Sequence, residues 1–170
     1  MSPTPKLRPP FKALAAAALL CLGNLADARA DETLKFRLIE HITNIQTQEI
    51  GDVDGHLVGV GHYSGLASFP DGSVGTAYFS FVVDYTKGAG PFGPAYHNVT
   101  LGDGSVLWFK AGGNATVEGT KSVQQGTLSV LGGKGKFEGA KGDGTLAGVR
   151  LTPLAAGADV YYDIVINLKK

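Results

Sequence analysis

Glu40 is the residue whose setting points most directly to chemistry. Leu34, Phe36, Leu38, Glu40, Ile42 and Asn44 alternate with Lys35, Arg37, Ile39, His41, Thr43 and Ile45. In a β-strand, alternate residues share a face. The first set is apolar apart from Glu40 and the terminal Asn44, so a carboxylate is expected among core side chains. Desolvation raises the pKa of such a group unless a partner holds its charge. Two roles fit it. It can act electrostatically on a molecule held in the same apolar space, or it can be a structural carboxylate tied to a tyrosine hydroxyl or an arginine.

Phe36 and Leu38 share the face of Glu40 and are expected to line that space with it. Tyr78 and Trp108, together with Phe81, are assigned to core or cavity lining. On the last strand Val160, Tyr162, Ile164, Ile166 and Leu168 oppose Tyr161, Asp163, Val165 and Asn167. Tyr162 and Asp163 are both candidates for the cavity. The pattern does not decide whether Asp163 and Tyr161 line it or face solvent. His41, His56, His62 and His97 form no close-spaced metal motif, so no metal is expected. Ser64, Ser80 and Ser129 lack the setting of a nucleophile elbow. Gly133 to Gly139 is followed by no helix pattern and no P-loop Ser or Thr. No cofactor is expected.

The elements that must position these residues read as strands throughout. No stretch holds apolar residues at helical spacing, and short β-rich runs recur between Gly, Asp, Asn and Pro clusters. Strands are predicted over 34–45, 56–67, 74–86, 96–101, 105–111, 114–119, 126–131, 143–151 and 159–168. Pro70-Asp71-Gly72 and Gly102-Asp103-Gly104 are turn sequences. Gly88 to Pro94 reads as the longest irregular insert. Half-buried antiparallel strands in this number fit a closed barrel or a sandwich.

The first 30 residues are set apart. Lys6, Arg8 and Lys12 precede an apolar run from Ala13 to Leu22, and Ala28-Arg29-Ala30 follows. Basic, apolar, small-x-small is the order of a secretory signal peptide. Residues 1–30 are therefore read as a signal peptide, with cleavage near Ala30 and a mature domain over 31–170. The expected location is exported, periplasmic or secreted. Leu20 before Cys21 does not suit a lipoprotein site, so Cys21 is read as part of the apolar run and no membrane anchor is expected. The mature part then has no cysteine, and its core alone must hold it. A domain of about 140 residues can do that. The chain carries 15 basic and 15 acidic residues with no Lys/Arg run, which leaves nucleic-acid binding without an electrostatic footprint.

The segment from Leu128 to Gly144, with Gly132, Gly133, Gly135 and Phe137 at its centre, resembles the signature of the allene oxide cyclase and dirigent superfamily. There a strand ends in a Gly-Gly-x-Gly-x-Phe turn before a small-residue pattern and another strand. The physical reading agrees: the glycines permit a tight reversal and Phe137 can plug a barrel end. Phe36 to Thr43, Val74 to Val83 and Tyr161 to Ile166 resemble the family's opening, central and closing strands in the same order. The resemblance implies an all-β fold: a single eight-stranded antiparallel β-barrel of the allene oxide cyclase/dirigent, calycin-like kind, commonly oligomeric. It also implies a role for Glu40, because plant cyclases carry a glutamate at the matching position of the opening strand. That glutamate is taken to act on positive charge developing in the substrate. Ile42 stands where those cyclases have an asparagine, and His41 is followed by Ile42 where dirigent proteins have His-Asp.

Two functional classes follow. One is a cofactor-independent barrel that binds a small apolar molecule and steers its cyclisation or isomerisation, as an enzyme or as a dirigent-like guide. The other is a carrier or interaction barrel without turnover.

Overall fold

A computed structural model describes residues 32–169. The signal-peptide reading over 1–30, with Cys21 and a start at Asp31, lies outside the described residues. The described chain forms eight strands: β1 (Glu32–Glu49), β2 (His56–Ser68), β3 (Val74–Thr86), β4 (Gly90–Thr100), β5 (Val106–Glu118), β6 (Lys121–Lys134), β7 (Lys141–Arg150) and β8 (Asp159–Lys169). Each pairs antiparallel with its neighbour in sequence, and β1 pairs with β8, so the sheet closes into a barrel. The closing seam runs from Glu32 opposite Leu168 to His41 opposite Asp159.

Alternation decides which side chains fill the barrel. Phe36, Leu38, Glu40 and Ile42 of β1 are buried, as are Val160, Tyr162, Ile164, Ile166 and Leu168 of β8. The rule breaks once on β1. A register shift between Ile42 and Asn44 marks a bulge at Thr43, and beyond it the faces exchange. Asn44, expected inside, is exposed, and Ile45 packs on the core instead.

Two expectations about strand limits change. Residues 106–118 form one strand, not two: Gly112 and Gly113 stay in register, with Gly113 opposite Gly126. Much of the expected Gly88–Pro94 insert is strand. Pro91 is exposed opposite Asn114, and Pro94 falls at a bulge between Phe92 and Ala95. Proline fits there because neither position must donate to the ladder. β6 also starts earlier than expected, at Lys121, which brings Ser122 and Gln124 to the inner face.

The glycine turn after β6 has the anticipated construction. A 3₁₀ turn spans Gly135–Phe137, and Phe137 is buried in the core. Gly132 and Gly135 have φ of +127° and +62°, conformations that favour glycine. Gly133 is needed for space: a Cβ there would lie 2.2 Å from the Val106 carbonyl oxygen and 2.5 Å from the Phe137 Cβ.

Candidate functional site

The inner face carries two kinds of residue. Toward the glycine turn it is apolar, with Phe36, Leu107, Phe137 and Leu168 in one cluster. Toward the opposite end, where β7 finishes and β8 begins, polar groups gather inside: Glu40, Ser122, Gln124 and Arg150 are all buried, with Tyr63, Tyr85 and Tyr162 beside them.

Glu40 sits on β1 opposite Gly65 of β2 and Val160 of β8. Gly65 makes its room, since a Cβ there would stand 2.8 Å from the Glu40 Cγ. The residue is only 3% exposed. Neither carboxyl oxygen has a hydrogen-bond partner among the described residues. Burial alone pushes the Glu40 pKa up to about 8, so the group is a neutral acid at pH 7. Its flanking levels are occupied by phenols. Tyr63 lies opposite Ile42, and Tyr162 lies opposite Leu38. Burial, with a smaller contribution from Glu40, pushes both phenols above the ordinary range, so they stay protonated.

The Tyr162 hydroxyl donates to Gln124 Oε1 at 2.5 Å. The Arg150 guanidinium lies against the Tyr63 and Tyr85 hydroxyls, and its Nε donates to the Thr152 carbonyl oxygen at 3.0 Å. His97 is stacked between Phe79 and Phe109 at centroid distances of 4.2 and 4.4 Å. Burial lowers its pKa to about 3, so it too is neutral. Tyr63, Tyr85, Tyr162, His97, Gln124 and Arg150 surround a void together with apolar side chains of β3 and β4. Its free space is about 10 Å³, close to what a single water molecule needs. The barrel is filled by its own side chains.

Of the residues expected to line a cavity, Tyr162 does so. Phe36 and Leu38 are inside but belong to the packed apolar core and do not border the void. Three others are on the outer face. Tyr78 is 46% exposed and its hydroxyl meets His62 Nδ1 at 2.8 Å. Trp108 lies outside opposite Gly132, with the Lys134 ammonium 5.7 Å from its ring centroid. Asp163 accepts two hydrogen bonds from Arg37, at 2.7 and 2.9 Å, while Arg37 stacks over Tyr161. Each was chosen for its size or charge, but strand parity sends it outward. The open question on β8 is thereby answered: Asp163 and Tyr161 are outside.

Sequence reading named His97 only among the histidines without a metal motif, and Gln124 and Arg150 not at all. Parity could have found two of them. His97 alternates with Ala95 and Val99, and Arg150 with Leu146 and Gly148. The other histidines have local partners: His56 bridges Asp52 and Asp84 at 2.5 and 2.8 Å, and His62 meets Ser80 at 2.9 Å.

No protein-family profile matches the chain. No curated protein matches it either. Among solved structures, the chain is similar to the pterocarpan synthase dirigent protein PsPTS1, with 15% identity and a TM-score of 0.49 over 84% of this chain and 98% of that one. It is similar also to the pterocarpan synthase dirigent protein GePTS1, with 14% identity and a TM-score of 0.47 over 94% of this chain and 98% of that one. At such identities a likeness concerns the fold, and the site stands on its own geometry.

Proposed function

We propose that the protein is a cofactor-independent barrel that takes up a small, largely apolar molecule at its polar end and steers a proton-coupled rearrangement of it. The observation that carries this reading is Glu40: a buried carboxyl without a hydrogen-bond partner among the described residues, next to two buried phenols. A barrel built only for stability has no use for such a group, since an apolar side chain there avoids the desolvation cost. A carboxylic acid kept neutral near pH 7 can donate a hydrogen bond or a proton to a reacting group. This differs from the carboxylate role implied by the family resemblance, because the acid form prevails. Tyr63 is the donor that would meet the ligand, because the Tyr162 proton is held by Gln124. Glu40, which does not border the void, would act on Tyr63 through its field alone.

A second reading is a carrier without turnover, supported by the position of Glu40, which does not border the void and so lies out of reach of a molecule held there. The small free space of about 10 Å³ inside the barrel favours neither reading. Mass spectrometry of small molecules copurifying with the protein, followed by incubation of that compound with wild type and Glu40→Gln, separates the two. A rearranged product with wild type and not with the variant supports the first reading. Binding without conversion by either leaves the carrier, and recovery of no small molecule overturns both. We propose further that the protein works outside the cytoplasm, on the order of basic, apolar and Ala28-Arg29-Ala30 segments. N-terminal sequencing is expected to find a chain starting at Asp31, and an intact cytosolic chain would refute it.

A further inference from the structure

The void has a neighbour at the polar end of the barrel. Tyr85 and Arg150 border the void on one side and, on the other, line an open cup at the end of the barrel. The cup offers about 380 Å³ of free space, within the range of small-molecule sites. Leu57, Val117, Pro153 and Leu154 form apolar walls, and Lys87 and Lys121 stand at the rim.

Its floor is electrostatically incomplete. Arg150 is 3% exposed, yet it belongs to none of the ion pairs among the described residues. Its neighbours are neutral: the Thr152 carbonyl, which takes Nε–H, and the hydroxyls of Tyr63 and Tyr85. A buried cation without a counter-ion is costly. Ser122 lines the same cup, is 2% exposed, and its hydroxyl has no hydrogen-bond partner among the described residues. One buried planar cation and one buried spare hydroxyl, beside apolar walls, suit a single monovalent, planar acceptor. A guanidinium matches a carboxylate in this way. A multiply charged phosphate would set its charge against the apolar walls of Leu57, Val117 and Leu154, which a monocarboxylate with an apolar body fits better.

We propose that the cup is a binding site for a compact apolar monocarboxylate, its carboxylate on Arg150 and Ser122 and its body along Leu57, Val117 and Leu154. This deepens the reading above and rests on it only in taking the body of the ligand to be apolar. Three probes test it by calorimetry on the wild-type protein: cyclohexanecarboxylate, its neutral counterpart cyclohexylmethanol, and acetate as the bare anion. The acid is expected to bind roughly tenfold or more tightly than either of the others, the worth of one charge-assisted hydrogen bond. Arg150→Met is expected to remove the advantage of the acid and leave the alcohol unaffected. Ser122→Ala is expected to weaken the acid alone, and it serves if Arg150→Met does not fold. Equal binding of acid and alcohol would overturn the anion site while leaving apolar uptake intact. Acetate binding as tightly as the larger acid would overturn the ligand class. No binding of any probe would overturn the site, whereas the copurification experiment decides the broader reading independently.

Discussion

Glu40 and His97 set opposite pH dependences on stability, and replacing one should expose the other. For Glu40 the pKa rises from 4.5 to about 8 on folding. The folded state keeps its proton where the unfolded chain has lost it, so stability is greatest below pH 4.5 and falls up to about pH 8. At about 1.4 kcal/mol per unit, the full fall is roughly 5 kcal/mol. For His97 the pKa drops from 6.5 to about 3. Its contribution is complete above pH 6.5 and is lost as pH falls toward 3, again by roughly 5 kcal/mol. Between pH 4.5 and 6.5 the two slopes cancel. Above that window Glu40 lowers stability; His56, whose pKa is raised by Asp52 and Asp84, adds to the loss. Urea unfolding followed by the fluorescence of Trp108, the single tryptophan, reads these terms at a series of pH values. The groups common to both proteins drop out when the wild-type curve is subtracted from that of Glu40→Gln. The difference should climb in favour of the variant by roughly 5 kcal/mol between pH 4.5 and 8. His97→Phe should gain on wild type in the other direction, by roughly 3 kcal/mol from pH 6.5 down to 4.5. A Glu40→Gln difference curve flat to within about 1 kcal/mol would refute a buried, neutral Glu40 and the function built on it.

Other substitutions probe the surroundings. Tyr162→Phe removes the donor to Gln124 and should cost about 1–3 kcal/mol in urea unfolding. Gly133→Val, with a Cβ forced to within 2.2 Å of the Val106 oxygen, should prevent folding or cost more than about 3 kcal/mol, as read by thermal melting. Asp163→Asn breaks an ion pair whose side chains are 52% and 54% exposed; it should change stability by no more than about 1 kcal/mol and leave ligand binding unaltered.

Alternation made much of the barrel legible. It placed Glu40 inside on β1, which buries one face in a period of two as far as Ile42. On β8 it separated the two faces without deciding which was inner, because both carry large side chains. It failed where the period itself changes. The bulge at Thr43 turns Asn44 outward, and no residue type near it announces the extra position. Gly112-Gly113 and Pro91 to Pro94 read as breaks, yet the ladder runs through them by register and by bulges. The candidate cavity was least legible. Tyr78, Trp108 and Asp163 were chosen by character and not by parity. Ser122 and Gln124 fell outside a strand drawn only from residue 126, because the polar start of β6 has no apolar alternation to mark it.

The seam between β1 and β8 bears on how the chain reaches this state. Arg37 and Asp163 are 126 residues apart, and their strands join only after every other strand exists. Pairings so distant in sequence are slow to form, because a long loop must close before any contact rewards it. A nascent chain that ends before Asp159 leaves the edges of both β1 and β7 open to other molecules. The final strand therefore acts as a fastener: a chain truncated before Asp159 is expected to aggregate, as read by light scattering, and not to behave as a slightly weakened barrel.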